Sequence, residues 1–435
     1  MPNYTICKGF SKTDEVWYNI YISAKGIEVR IKMKFGLLGE TLRHSFSKQI
    51  HSVFGSYEYE YYAKSREEAE SFIKSGEVSG MNVTIPYKEL AYSLCDELTD
   101  TAREAGCVNT VTYRDGKVCG DNTDVFGFMY MLDAGKISVR DKKVIVLGSG
   151  GTSKTARLAL KRLGAGEVVV VSRSGEVNYD NVYERSDTEI IINTTPVGMY
   201  PKNGASPIDL SRFPKCEGVA DVVYNPLKTK LLLDAEKLGI PHIGGLYMLA
   251  AQGFRAAEVF LGEKLSESLI KDAVMSVRRS ISNIILVGMP GSGKSTVASL
   301  VAEGLSRRLV DTDKEIKKLY GAPAKIITEQ GEAAFRDIEC RVVADIAKES
   351  GLVIATGGGV CEREENRGHL SQNGKVYLIE RSLDQLSTEG RPLSVDVAAL
   401  YERRKDKYLR LADVKIDNNG KAESAAEKIV TDFLE

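Results

Sequence analysis

The chain has 435 residues, 43% of them hydrophobic and 27% charged, with a formal net charge of −1. That length fits two or three domains of ordinary globular composition. The near-zero charge gives no global field to draw nucleic acid or a membrane surface. No apolar run approaches the roughly 18 residues of a membrane helix, and the N-terminus lacks a signal-peptide core. Seven scattered cysteines, an odd number with no C-x-x-C, read as reduced thiols of a cytoplasmic protein. Four scattered histidines give no structural zinc pattern.

Residues 1–34 are rich in aromatics but show no clean period. Met33 reads as the initiator, with the residues before it a loose extension; an N-terminal hairpin is the competing reading. From Phe35 to about 135, strands alternate with helices: Phe35 to Gly39, Tyr57 to Tyr62 and Gly80 to Ile85 as strands, Lys48 to Phe54 and Arg66 to Lys74 as helices. This predicts an α/β domain with a largely parallel sheet, completed by 226–262. A second unit, 136–225, opens with the apolar strand Lys143 to Leu147. The turn Gly148-Ser149-Gly150-Gly151-Thr152-Ser153 then leads into a helix, and strands follow at Val168, Ile190 and Gly218. That is the dinucleotide-binding Rossmann pattern, with Ser153 in place of a third glycine. Leu227 to Leu238 and Gly245 to Leu261 read as helices, and 263–280 as a polar helical connector.

The last domain, 281–435, begins with Ile284 to Val287 as a buried strand. The loop that follows ends in Gly291-Ser292-Gly293-Lys294-Ser295-Thr296 and opens a helix. This is the phosphate loop G-x-x-x-x-G-K-[ST] in its strand–loop–helix setting. Its backbone N–H groups can cradle phosphates, Lys294 can meet the β- and γ-phosphates of ATP, and Ser295 can hold Mg²⁺. The fold expected is α/β throughout: a two-domain dehydrogenase-like half with a Rossmann domain, then a P-loop α/β/α domain of the nucleoside-monophosphate-kinase type.

Polar motifs in the first half cluster at strand ends, where open parallel sheets bind ligands. They are Ser45 and Ser47, Asn82 to Lys88, Val108-Asn109-Thr110, and Gly120 to Asp124. Singly, each could be turn chemistry. Together they suit a small polyhydroxylated carboxylate. Lys88 and Asp124 supply a cation and a carboxylate for proton transfer to an alkoxide formed by hydride addition; the residues do not say which one donates. After the second Rossmann strand come Ser172-Arg173-Ser174, with no acid for a ribose 2′-hydroxyl and one guanidinium for a 2′-phosphate, which favours NADP(H).

With S-x-S, N-V-T-I-P-Y-K, V-N-T, G-D-N-T-D, N-T-T-P-V-G-M at Asn193–Met199 and G-G-L-Y-M-L-A-A-Q-G at Gly244–Gly253, this half resembles shikimate dehydrogenase. The resemblance implies that Ser45 and Ser47 hold the substrate carboxylate. It places Asn82, Thr84, Asn109, Asp124 and Gln252 around the hydroxyls, Tyr224 over the site, Lys88 and Asp124 in catalysis, and Gly245 beside the cofactor. The family's second basic residue after Arg173 is replaced by Gly175-Glu176-Val177, so a modest NADP preference is expected. A quinate/shikimate dehydrogenase using NAD is the alternative within the class.

In the second half, Asp311 and Asp313, Arg336 with Glu339 nearby, Gly357-Gly358-Gly359, Arg391-Pro392-Leu393 and Arg404 follow the phosphate loop in an order that resembles shikimate kinase. The resemblance assigns Asp313, Arg336, Gly358, Gly359 and Arg404 to shikimate, Ser295 and Asp311 to Mg²⁺, Lys294 to catalysis and Arg391 to a lid. That lid is short, with Ser387 or Thr388 where the family places another arginine. The two resemblances imply consecutive reactions, from 3-dehydroshikimate to shikimate to its 3-phosphate. The other reading, one half kept only as a ligand sensor, is opposed by the intact Lys88/Asp124 and Lys294/Asp313 pairs. Small molecules are the expected partners, with no nucleic acid and no membrane; the sequence leaves monomer and homodimer open.

Overall fold

The asparagine-led strand Asn283–Val287 sets the plan of the second half: all five residues are buried, and alternate side chains face opposite sides of the sheet. The computed structural model describes residues 33–42, 45–386 and 396–435, and before them the backbone of Tyr4–Phe10, Val16–Ile22 and Ile27–Lys32. These three early strands pair antiparallel in chain order. The chain divides into two compact units. One comprises Met1–Pro196, Pro207–Tyr224 and Asp234–Val277; the other comprises Val197–Ser206, Asn225–Leu233 and Arg278–Glu435.

The first unit holds a six-stranded sheet, ordered Glu58–Ala63, Lys34–Gly39, Gly80–Val83, Thr110–Arg114, Lys117–Asp121, Glu97–Leu98. It is mixed rather than largely parallel, because Thr110–Arg114 runs antiparallel to both neighbours. The cause is a tight hairpin at Asp115-Gly116, both at positive φ (50° and 75°), the backbone that a two-residue turn matching strand twist requires. This Asp-Gly signal stands in the sequence and goes unused in the alternation pattern.

A second, five-stranded sheet is wholly parallel, ordered Glu167–Val171, Lys143–Leu147, Ile190–Asn193, Gly218–Asp221, His242–Gly244. The helices Asp124–Ala134 and Leu246–Leu261 cross at Gly127. A side chain there would start 2.6 Å from the Met248 carbonyl and 2.9 Å from Gln252 Cβ, so the glycine lets the helices close up and carries Gln252 inward. The segment expected to be a polar helical connector holds the helix Ser268–Ile281, which is amphipathic rather than polar throughout. It buries Ile270, Ala273, Val274, Val277 and Ile281, the spacing of one helical face.

The second unit carries a parallel sheet ordered Leu309–Asp311, Val353–Ala355, Asn283–Val287, Gly374–Glu380, Val414–Asp417. Ile285 and Val287 join the core on one face, Ile284 and Leu286 that on the other. Burying such side chains contributes about 1.5–3 kcal/mol each. The strand therefore holds the phosphate loop at its end on a rigid base.

Candidate active sites

In the first unit, Lys88 and Asp124 each open a helix, Lys88–Leu94 and Asp124–Ala134. Their ends meet: Lys88 Nζ lies 2.6 Å from Asp124 Oδ2. A carboxylate is favoured at a helix N-terminus and a cation is not. Burial also works against the Lys88 charge, but Asp124 overrides it and raises the ammonium above its ordinary value. Asp124 Oδ1 accepts from Asn109 Nδ2 at 3.0 Å, so both carboxylate oxygens are fixed. Asn109 is itself oriented, because its Oδ1 accepts from the Thr123 N–H at 2.7 Å. Gln252 Oε1 reaches the same amide at 3.4 Å.

Asn82 donates to Thr110 Oγ1 at 3.2 Å and accepts from Tyr59 Oη at 2.8 Å. Ser45 Oγ and Ser47 Oγ stand 3.1 Å apart, with Ser47 opening the helix Ser47–Phe54. Ser45, Ser47, Asn82, Thr84, Lys88, Asn109, Asp124, Tyr224, Gln252 and Gly245 all line one cavity of about 410 Å³. The volume suits a small metabolite. Thr152 lines it too, so the glycine-loop helix Gly151–Leu163 borders the same space.

Sequence reading missed the support behind Asn82. His51 is 1% exposed, its Nδ1 is 2.7 Å from Tyr57 Oη, and its ring stacks on Tyr59 at 4.0 Å. Burial pushes the imidazole down to about 3, so it stays neutral. The available signal was its position four residues after Ser47, on the same helix face.

The Rossmann loop fits a dinucleotide. Gly148 adopts φ 102°, and a side chain on Gly150 or Gly151 would meet nothing within 4 Å, leaving room for a ligand against the N-terminus of Gly151–Leu163. Ser149 is exposed beside them, and Ser153 is buried inside the helix, facing the protein. Gly148 N–H bonds the Val171 carbonyl at 2.8 Å, which sets Ser172, Arg173 and Ser174 next to the loop. Arg173 is exposed, as a 2′-phosphate partner would be. Its turn is tied by Ser172 N–H to the Val177 carbonyl and by Asn181 Nδ2 to the Glu176 carbonyl. Gly245 has a packing reason of its own: a Cβ would lie 2.0 Å from the Val222 carbonyl oxygen.

In the second unit, Gly288, Gly291 and Gly293 all have positive φ (144°, 85° and 89°), the turn a phosphate cradle needs. Lys294 is buried and curls back to the Gly288 and Met289 carbonyls at 3.0 and 2.9 Å. Ser295 Oγ stands 3.3 Å from Asp311 Oδ2, an oxygen pair suited to Mg²⁺, and Thr296 is exposed on the first helical turn. Asp311 Oδ1 meanwhile caps the helix Thr312–Tyr320 through the Asp313 and Lys314 N–H groups. Ser292 Oγ is buried, and the Ser292 carbonyl accepts from Asn418 Nδ2 at 2.7 Å.

The three glycines sit where side chains crowd in. A Cβ on Gly357 would start 2.5 Å from Asp313 Oδ1, on Gly358 2.6 Å from Pro290 of the phosphate loop, and on Gly359 1.9 Å from Arg336 Nη1. Arg336 is 7% exposed and bonds Glu339 Oε2 at 2.8 Å and Glu332 Oε1 at 3.1 Å. Arg404, 3% exposed, donates from Nη1 to the Gly358 carbonyl at 2.9 Å. Asp313, Arg336, Gly358, Gly359 and Arg404 thus converge on one loop beside the phosphate cradle. Glu339 came with the Arg336 motif but had no role in the sequence; here its Oε2 neutralises Arg336, while burial raises its carboxyl above the ordinary range. Arg391 and the short lid from Ser387 lie outside the described residues.

Comparisons with known proteins match both halves of the chain. A family model of the shikimate dehydrogenase substrate binding domain matches residues 37–111, and one of shikimate kinase matches 290–434. The chain is 35% identical over 259 residues to a shikimate dehydrogenase (NADP(+)) of Clostridium perfringens, covering 55% of this chain and 96% of the relative. It is 33% identical over 258 residues to a shikimate dehydrogenase (NADP(+)) of Methanosphaera stadtmanae, covering 52% and 91%. Among solved structures, a chorismate mutase/shikimate 5-dehydrogenase fusion protein from Clostridium acetobutylicum superposes with TM-score 0.54 at 32% identity, covering 57% of this chain and 97% of that one. Shikimate 5-dehydrogenase of Thermus thermophilus, in complex with NADP(H) and shikimate, gives 0.51 at 30% identity, covering 56% and 98%. The chain belongs to the shikimate dehydrogenase (NADP+) family and, with a shikimate kinase domain in the same polypeptide, is a bifunctional enzyme of the shikimate pathway.

Proposed function

We propose that the first site reduces 3-dehydroshikimate to shikimate through the Lys88/Asp124 pair, and that the second phosphorylates the 3-hydroxyl of that product. The observation that carries this is the 2.6 Å ion pair with Asn109 on its other oxygen, inside a cavity whose other polar lining is hydroxyls and amides, set among apolar side chains such as Leu37, Val83 and Met248. When bound, NADPH supplies a hydride to the carbonyl carbon. As the C=O π bond opens, its oxygen takes a proton delivered within the Lys88/Asp124 pair. Ser45 and Ser47 hold the carboxylate, Asn82, Thr84, Asn109 and Gln252 read the ring oxygens, and Tyr224 covers them.

MgATP, when bound, supplies the phosphoryl group of the second reaction. Asp313 accepts the proton of the attacking hydroxyl, Arg336 and Arg404 orient the carboxylate, and Gly358 and Gly359 let the ring lie against backbone. Lys294, Ser295 and Asp311 hold the phosphates and the metal. The six described free cysteines support a reducing, cytoplasmic setting.

One assay tests both steps: the intact chain with 3-dehydroshikimate, NADPH and MgATP, following shikimate and its 3-phosphate. Both should form, shikimate first. Oxidation of quinate with NAD at a comparable rate would instead select the quinate/shikimate alternative.

A further inference from the structure

The substrate arginine Arg404 is gripped at a second point by a residue that neither motif pattern includes. Glu362 lies on the short turn Val360–Glu362, directly after the three glycines. Its Oε1 accepts from Arg404 Nε at 2.7 Å. The same turn region supplies the Gly358 carbonyl to Arg404 Nη1, and Tyr408 Oη donates to that carbonyl as well. Arg403 and Lys407, on the same helix Val397–Leu411, also reach Glu362. Exposure separates the three cations: the Arg404 side chain is 4% exposed, against 56% for Arg403 and 33% for Lys407. Only for Arg404, then, does the ion pair set a buried geometry.

Two bonds from one loop, to Nε and Nη1, fix both the position and the plane of a guanidinium. The nitrogen that neither bond uses is Nη2. A planar fork recognises a carboxylate only in a narrow range of orientations. We propose that Glu362 is a positioning residue of the kinase site, which holds the Arg404 guanidinium in the plane that receives the shikimate carboxylate. The inference rests on Arg404 being that carboxylate's partner. Charge alone argues the other way. Glu362 offsets part of a three-cation cluster, so its removal would strengthen attraction for an anionic substrate. Positioning and attraction therefore predict opposite signs.

The test is steady-state kinetics of phosphorylation by the full chain, with Glu362→Ala, Glu362→Gln and Arg404→Ala. Positioning predicts a KM for shikimate raised about tenfold in Glu362→Ala and about threefold in Glu362→Gln, which keeps an acceptor for Nε; kcat and the KM for ATP stay within about twofold. The isosteric Gln variant carries the test should the Ala variant not fold. An unchanged or lowered KM for shikimate in both overturns the inference, as does a parallel loss in kcat and ATP affinity. If Arg404→Ala leaves the KM for shikimate unchanged, the reading of Arg404 itself is wrong. If it raises KM while both Glu362 variants are flat, only the role of Glu362 is refuted.

Discussion

On the proposed assignments, the two sites would handle the same small acid with different chemistry. In the first, neutral groups would do the reading: Ser45 bonds Ser47, Asn82 bonds Thr110 and Asn109 bonds Asp124, and the charge lining the cavity is that of Lys88 and Asp124. In the second, two buried guanidiniums would do it, each already paired with a carboxylate of the chain: Arg336 with Glu339, Arg404 with Glu362. The difference follows from the reactions. A ketone reduction needs one proton at one oxygen, so a lone ion pair suffices and further charge would blur it. Phosphoryl transfer is mostly positioning and charge stabilisation, and rigid forks suit it. Buried ions must be compensated when no substrate is present, which is what Glu339 and Glu362 do.

The sharpest way to break the comparison is to remove the lone pair. Lys88→Ala should slow reduction about 10²–10⁴-fold, the range for general acid–base help. Phosphorylation of supplied shikimate should be intact, and Lys294→Ala should give the reverse pattern. Loss of both reactions from either change in a folded protein would refute separate sites.

Next in size is a stability effect in the second site. Arg336→Ala strands Glu339, whose side chain is 1% exposed, and should destabilise its unit by about 3–5 kcal/mol. Adding Glu339→Gln should recover much of that in thermal melts followed by circular dichroism. No recovery would mean that Arg336 contributes through packing rather than charge.

A smaller effect is expected at the cofactor. Arg173 is exposed between Ser172 and Ser174, with the exposed Glu176 on the same turn. NADP should be preferred over NAD by about tenfold in kcat/KM, and Arg173→Ala should erase most of it. Equal use of both cofactors by the parent enzyme would sink this assignment.

The smallest effect concerns pH. Burial alone would raise the Glu362 carboxyl, but hydrogen bonds from Lys407 and Arg404 pull it from near 4.5 to about 2. A depressed carboxyl contributes stability that is present above its unfolded value and lost as pH falls through the folded one. The melting-temperature gap between the parent and Glu362→Gln should hold above pH 4.5 and close toward pH 2. Lys88, shifted upward, loses its contribution only above 10.5, so its contribution is complete and constant in that window. A gap that stays constant to pH 2 would show that Glu362 is not the group titrating.

Much of this was written in the sequence. The two glycine loops, the buried strands that feed them and the lysine, serine and aspartate at fixed spacing follow from local backbone needs, which a linear motif records. The sequence also put the motifs of Ser45 and Ser47, Asn82 to Lys88, Asn109 and Asp124 next to strand ends, where the cavity forms, whereas Tyr224 and mid-helix Gln252 came only from the resemblance. The hairpin turn at Asp115-Gly116 was legible in the sequence, but the alternation pattern alone did not give the strand direction that makes the first sheet mixed, because direction depends on a pairing partner. The amphipathic face of Ser268–Ile281 was readable but hidden by its polar average. Tertiary structure alone decided the supporting contacts: His51 stacked on Tyr59, which in turn bonds Asn82, Gly127 admitting Gln252, and Glu362 reaching Arg404 across 42 residues of chain. Such contacts carry no spacing rule, since they arise where separate elements meet, and burial then makes each unpaired charge costly enough to require its partner.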